Sequence, residues 1–384
     1  MKISFISNFM NHHQLPFCTE LLSVCDGKFT FWATTPLPEE QAKLGYKNLN
    51  NLPFVTEIYN SDENYEECRK AMNDDDYVIF GTSPDELIDI RRKSGKPYAI
   101  FSERILKKSP LRRFYPPTRK KITRRFGGCE ANNACVLAAS AYLAYDLSLV
   151  HMYPKVYKWG YFPDVSKYEN IDNIITNKKK NSILWVARFL KLKHPEFPVE
   201  IAEQLKKDGI DFTLNMIGTG EEFEKTKKLI EQKNLSDCVH LLGAMPPDKV
   251  REYMKKSEIF LFTSNKIEGW GAVINESMNS ACAVVANSEI GGVPFLIEDK
   301  ANGLIYHNGN LDELYEKVKF LIGNSSERVA ISKNAYTAMT DLWNAKIAAN
   351  RLYHIIDAIV NNKQVPVYKS GPCSISDIIS DKWR

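Results

Sequence analysis

Two carboxylates flanking a glycine-rich turn carry the clearest chemistry in the chain, in the run Glu268-Gly269-Trp270-Gly271-Ala272-Val273-Ile274-Asn275-Glu276. Gly269 and Gly271 let backbone approach a ligand closely, and a helix starting near Gly271 or Ala272 would aim its free amides at the same place. Glu276 falls about one turn inside that helix, where a carboxylate can accept two hydrogen bonds from a ribose diol. A second constellation is Arg188 with Lys193 five residues later. Two such cations suit a diphosphate, Arg as a bidentate fork and Lys as a point charge. Gly218-Thr219-Gly220 is a glycine turn leading into a helix. On spacing alone each feature also reads as ordinary surface: solvated helix carboxylates, a cationic loop and a tight turn.

These residues need a scaffold, and the pattern around them supplies one. Apolar runs at 183–187 (ILWVA), 212–217, 239–242, 259–262, 283–286 and 304–306 read as strands. Helical patterns at 199–207, 221–233, 248–255 and 272–279 separate them. Glu268 then follows the loop Thr263-Ser264-Asn265 at the carboxyl end of a strand, where parallel α/β sheets bind ligands. The first half shows the same alternation, with strands at 2–7 (KISFIS), 29–33, 77–80 and 98–101 and helices at 15–25, 64–72 and 84–93, the last capped by Ser83. Strands separated by helices imply parallel sheets, and 384 residues suffice for two such domains. The expected fold class is therefore α/β, with two doubly wound domains. Boundaries are expected at 1–164, a polar linker over 165–181, a second domain over 182–344, and over 345–384 a C-terminal helix able to pack back on the first domain, followed by an extended tail.

Taken in order, these elements resemble the retaining glycosyltransferases of family 4, of the bacterial surface-polysaccharide type, which have the GT-B fold of two Rossmann-like domains facing across a cleft. The likeness rests on Arg188 and Lys193 after a strand, Gly218 and Gly220 after the next, Leu241-Leu242-Gly243, then Ser264, Glu268, Gly269, Gly271 and Glu276, and finally Gly291 with Asn302-Gly303. The resemblance implies that Arg188 and Lys193 hold the diphosphate of a nucleotide sugar, with Gly218 beside them. It implies that Glu276 binds the ribose, and that Glu268 binds the donor sugar together with the amides of Gly269, Trp270, Gly271, Ala272 and Val273. Ala244 and Met245 would face the base. It further implies that no metal or other cofactor is needed, and that no protein nucleophile takes part, because attack comes from the leaving-group face.

The first half departs from that pattern. Family members often have a glycine-rich loop after the first strand, whereas here the loop reads Asn8-Phe9-Met10-Asn11-His12-His13-Gln14. An imidazole from His12 or His13 at the cleft would donate to phosphate or to an acceptor hydroxyl, making these two, with Glu268, the catalytic candidates. Read blandly, both are residues of a helix N-terminus. Glu103-Arg104 is a further cleft-edge candidate. Asp74-Asp75-Asp76 precedes a strand instead of following one, so it is read as a solvated turn and not as a metal-holding Asp-x-Asp.

The net charge of +4 is too small for a dedicated nucleic-acid binder, and it is unevenly placed. The first 163 residues hold 22 basic and 18 acidic residues, and the remainder balances at 29 of each. Nine cations and no acid lie between Lys107 and Arg125, interleaved with Leu111, Phe114, Tyr115, Ile122 and Phe126. Arg112, Arg113, Lys120 and Lys121 are the expected contacts to an acceptor or to an anionic membrane face. Eight scattered cysteines with no paired spacing read as reduced thiols in a cytoplasmic protein, and no secretion signal or membrane span is visible. The expectation is a cytoplasmic enzyme, peripheral at the inner membrane face. It would move a sugar from a UDP- rather than GDP-linked donor to a lipid-linked glycan. A GT-B-fold nucleotide-sugar epimerase and a catalytically idle nucleotide-sugar-binding subunit remain open as alternatives.

Overall fold

Parallel strands buried on both faces read as unbroken apolar runs, and the first strand, ISFIS over Ile3–Ser7, is buried at all five positions. The computed structural model describes residues 1–39, 42, 45–131 and 133–380. It divides into two compact units, Met1–Asp164 with Trp343–Ser380, and Val165–Leu342.

The first unit has a seven-stranded sheet. Its strands are β1 (Ile3–Ser7), β2 (Phe29–Ala33), β3 (Val55–Glu57), β4 (Tyr77–Phe80), β5 (Tyr98–Ser102), β6 (Ala134–Ala138) and β7 (Val156–Lys158). They lie side by side in the order β3-β2-β1-β4-β5-β6-β7, all parallel. The second unit has β8 (Lys179–Val186), β9 (Thr213–Ile217), β10 (Val239–Leu241), β11 (Ser257–Phe262), β12 (Ala283–Asn287) and β13 (Leu304–Tyr306). Their order is β10-β9-β8-β11-β12-β13, again all parallel. Both units are thus Rossmann-like, in keeping with the expected fold class. In each sheet the strand order reverses once, between β1 and β4 and between β8 and β11. Crossover helices leave such a reversal on opposite faces, which opens a crevice at the carboxyl ends of those two strands.

Several local expectations change. Helix Asp85–Ser94 starts after Pro84 with no side-chain cap, and Ser83 instead accepts hydrogen bonds from the Arg125 guanidinium. The stretch 165–181 is not a plain linker: it carries helix Ile171–Thr176, capped by Asn170, and the start of β8. Lys178 is buried, and its ammonium donates to the carbonyls of Met254, Ser257 and Ser280 at 2.8–3.0 Å. Asp75 is not solvated either. It is fully buried, accepts from Ser4 Oγ at 2.5 Å and pairs with Lys2 at 3.0 Å, closing the amino edge of the first sheet.

After Trp343 the chain returns to the first unit. Helix Ala345–Val360 packs against helix Leu15–Val24. The segment expected as a free tail runs antiparallel along β7, with Lys158 N donating to Ser374 O at 2.7 Å and Ser376 N to Val156 O at 2.9 Å. All eight cysteines are free thiols, and among the described residues no helix is long and apolar enough to cross a membrane.

Candidate active site

β8 and β11 run in register, Ile183 beside Ile259 and Trp185 beside Leu261, so the loops that follow them start side by side at the strand-order reversal. The β8 loop presents Arg188, which is exposed and has no side-chain partner among the described residues. It then makes a short turn over Lys191–Lys193. The ammonium of Lys193 forms an ion pair with Glu268 from the β11 loop, the two side chains being 15% and 16% exposed. Thr263 braces this pair: its hydroxyl accepts from Trp185 Nε1 at 2.8 Å and donates to the Lys193 carbonyl at 2.6 Å. Asn265 N donates to Leu192 O at 2.9 Å and the Asn265 side-chain amide meets His194 Nε2 at 3.2 Å, so the two loops are joined at two points.

Glycines seat the Arg188 loop. A Cβ on Gly218 (φ +134°) would lie 1.9 Å from Ala187 O, and one on Gly220 (φ +151°) 2.5 Å from Phe189 O. Backbone packs directly on backbone there, with Phe189 N donating to Thr219 O at 2.8 Å and Gly218 N to Gly243 O at 2.8 Å. The Gly-x-Gly turn therefore fixes Arg188 from below. Gly271 (φ +86°) has a similar reason, since its Cβ would meet the Phe262 ring at 2.3 Å.

Glu276 sits on the seven-residue helix Val273–Asn279. Its carboxyl has no hydrogen-bond partner among the described residues, and burial pushes its pKa up against the opposing charge of Arg251. Arg251 itself donates to the Glu276 carbonyl at 2.7 Å. Ser264 Oγ is buried without a hydrogen-bond partner among the described residues. A buried acceptor left open in this way costs stability unless something binds it.

Residues 166–338 match the family described as glycosyl transferases group 1. That match spans nearly the whole second unit, Val165–Leu342, and no part of the first. An amylovoran biosynthesis glycosyltransferase of Erwinia amylovora, AmsK, is 29% identical over 182 residues, covering 46% of this chain and 44% of that protein. An N-acetylgalactosamine-N,N'-diacetylbacillosaminyl-diphospho-undecaprenol 4-alpha-N-acetylgalactosaminyltransferase of Campylobacter jejuni is also 29% identical, over 46% of this chain and 47% of its own. The chain spans about half the length of these curated relatives. Among solved structures, Anabaena HepE in complex with UDP and glucose matches with a TM-score of 0.65 at 16% identity, covering 92% of this chain and 98% of that one. This is the GT-B fold.

Within the second unit, Arg188, Lys193, Glu268 and Glu276 all lie on elements that end at or follow the crevice strands β8 and β11. Ala272 and Val273 are half-buried at the start of the Glu276 helix, Gly269 is buried, and Met245 is half-buried beyond β10. For Trp270 the resemblance implies a role for the backbone amide alone. Its side chain is 1% exposed and donates to Asn275 Oδ1 at 3.0 Å, so its indole belongs to the core and only its backbone is left for a ligand. The brace made by Trp185 and Thr263 was not foreseen. Thr263 stood in the loop already singled out, but nothing in its type indicates that it bridges two loops.

His12 and His13 lie in the first unit, in the loop following β1. Asn11 folds that loop by accepting from the amides of His13 and Gln14, and the two imidazoles lie tilted by 47° with centroids 3.7 Å apart. Burial lowers the His12 pKa, opposed by the charge of Asp164. Arg104 is not a ligand group. It is buried in an ion pair with Asp146 at 3.0 Å, while Asp146 also accepts from the amides of Ile105 and Leu106. Glu103 accepts from Tyr161 and Lys107.

Proposed function

We propose that the protein is a retaining glycosyltransferase that takes a sugar from a UDP-linked donor and adds it to a polyprenyl-diphosphate-linked glycan during surface-polysaccharide synthesis, without a metal ion. The observation that carries this reading is the set at the β8/β11 crevice: among the described residues Arg188 and the Glu276 carboxyl have no side-chain hydrogen-bond partner, and Lys193 is ion-paired with Glu268. Each group is incomplete in a way that a nucleotide sugar completes. The diphosphate would take Arg188 and draw Lys193 from Glu268, each cation at about 4 Å contributing roughly 4 kcal/mol at an effective dielectric of 20. Glu268, released, would accept from donor-sugar hydroxyls, and Glu276 would accept from the ribose diol. In the transfer the bond between the anomeric carbon and the diphosphate oxygen breaks, and a bond to the acceptor oxygen forms on the same face. The acceptor proton passes to the departing phosphate oxygen. The two cations stabilise the charge that develops on the nucleoside diphosphate, the work a metal does in other transferases. His12 and His13 are the proposed donors toward phosphate or acceptor.

The relatives support the donor and acceptor classes: the Anabaena structure holds UDP and glucose, and the Campylobacter enzyme is named for a diphospho-undecaprenol acceptor. Such an acceptor would bring the protein to the cytoplasmic face of the cell membrane. A thermal-shift screen against nucleotides should give its largest rise with UDP or a UDP-sugar. Transfer should persist in excess EDTA, preserve the anomeric configuration by NMR, and collapse in Glu276→Ala. Loss of transfer on chelation, or an inverted product, would overturn the reading.

A further inference from the structure

Of the nine cations between Lys107 and Arg125, three are paired within the first unit. Lys107 pairs with Glu103 at 3.3 Å, Arg124 with Asp85 at 3.6 Å and Asp89 at 3.4 Å, and Arg125 with Asp85 at 3.6 Å. These stand at the two ends of the run. The six between them, Lys108, Arg112, Arg113, Arg119, Lys120 and Lys121, have no ion-pair partner among the described residues. The run therefore separates into anchored ends and a free middle.

Apolar side chains stand out in that same middle. Leu111, Phe114 and Tyr115 are 69%, 68% and 59% exposed, on and just after the 3-10 turn Pro110–Phe114. The Arg113 guanidinium lies over the Phe114 ring at 4.5 Å. The support beneath is firm. Helix Pro116–Phe126 buries Ile122 and Phe126, and Arg92 donates to the carbonyls of Arg124 and Arg125 at 2.7 and 2.8 Å. The buried Arg104–Asp146 pair holds the chain on the other side of the turn. A tip of this kind, two aromatics and a leucine ringed by unpaired cations, keeps large apolar area in water at a cost and carries charge with nothing to answer it.

We propose that this tip is a membrane anchor: Leu111, Phe114 and Tyr115 enter the interfacial region of an anionic bilayer while the six free cations hold its lipid headgroups. Charge complementarity decides for an anionic lipid surface, because a polar protein partner would leave the three apolar side chains unburied and a neutral apolar partner would leave the cations unanswered. The inference rests on the proposed lipid-linked acceptor only for its purpose, not for its geometry.

The test is vesicle co-sedimentation of the full chain, run beside UDP binding by calorimetry. Wild type should bind phosphatidylglycerol vesicles and ignore phosphatidylcholine vesicles. The triple variant Leu111→Ser, Phe114→Ser, Tyr115→Ser should lose binding by about tenfold or more, even at low salt, with UDP affinity unchanged. The variant Arg112→Ser, Arg113→Ser, Lys120→Ser, Lys121→Ser should lose it by a similar factor, again with UDP affinity unchanged. If the triple variant folds poorly, the single change Phe114→Ala serves, with a smaller loss in the same direction. Wild type that ignores anionic vesicles while binding UDP would overturn the anchor and leave the transferase reading standing. Apolar variants that bind vesicles like wild type would overturn the insertion.

Discussion

Glu276 makes the plainest case for a residue kept at the expense of stability. Its folded-state pKa is raised by burial, so the folded protein holds that proton more tightly than the unfolded chain does. Ionising it therefore costs stability, a cost that is absent below the ordinary carboxylate range and grows as pH rises through the raised value. Glu276→Gln should consequently melt at or above the wild-type temperature at about pH 8 and show no gain at about pH 4, by calorimetric scans. The same change should weaken UDP-sugar binding by about 10- to 100-fold, the worth of hydrogen bonds to a charged acceptor. Because the ribose diol needs the ionised form, wild-type donor affinity should fall as pH is lowered through that raised pKa, and the variant should lose this slope. A variant that is both less stable at high pH and unimpaired in binding would show that the carboxylate is structural.

Among the elements, the loops after β8 and β11 depend on backbone contacts that no side chain can replace. Gly218→Ala would drive a methyl to 1.9 Å from Ala187 O in a conformation that L residues rarely adopt. We expect a loss of about 3 kcal/mol or more, or an Arg188 loop displaced enough to abolish donor binding. A melting temperature and a donor Kd both equal to wild type would refute the seating role. How far such elements can be read from sequence depends on where their determinants lie. β4, β12 and the apolar halves of β8 and β11 are legible because buried parallel strands read as apolar runs, whereas the polar start of β8, KKN, reads as linker. β3 (VTE) and β7 (VYK) are three residues long like β10 and β13, but each ends in a charged residue and lacks the apolar run that marks those two. Arg188, Lys193, Glu268 and Glu276 stand out only as an ordered set through the family resemblance, since on spacing alone each reads as ordinary surface; all four follow β8 or β11. Lys178 misleads because Lys179 and Lys180 beside it are exposed, while the carbonyls that bury its ammonium come from residues 254–280. Arg104 misleads in the same way, its partner Asp146 being 42 residues distant.

At the scale of the molecule, the second unit is one continuous stretch, whereas the first is assembled from two pieces separated by it. That arrangement sets an order in time. A ribosome releases the strands of the first sheet before the second unit, yet helix Ala345–Val360 and the edge segment around Ser374 are made after it. The first unit is thus completed only after the second has emerged whole and can fold. During that interval the face of helix Leu15–Val24 that helix Ala345–Val360 will cover stays open to water. A chain ended after Leu342 should accordingly keep the melting transition and UDP binding of the second unit while the first unit binds an apolar dye and is cut early by protease. An undiminished first-unit transition in that shortened chain would show that the returning helix is ornamental. Otherwise, the vulnerability of this protein is a matter of schedule: a nascent half-built unit waiting for its closing piece.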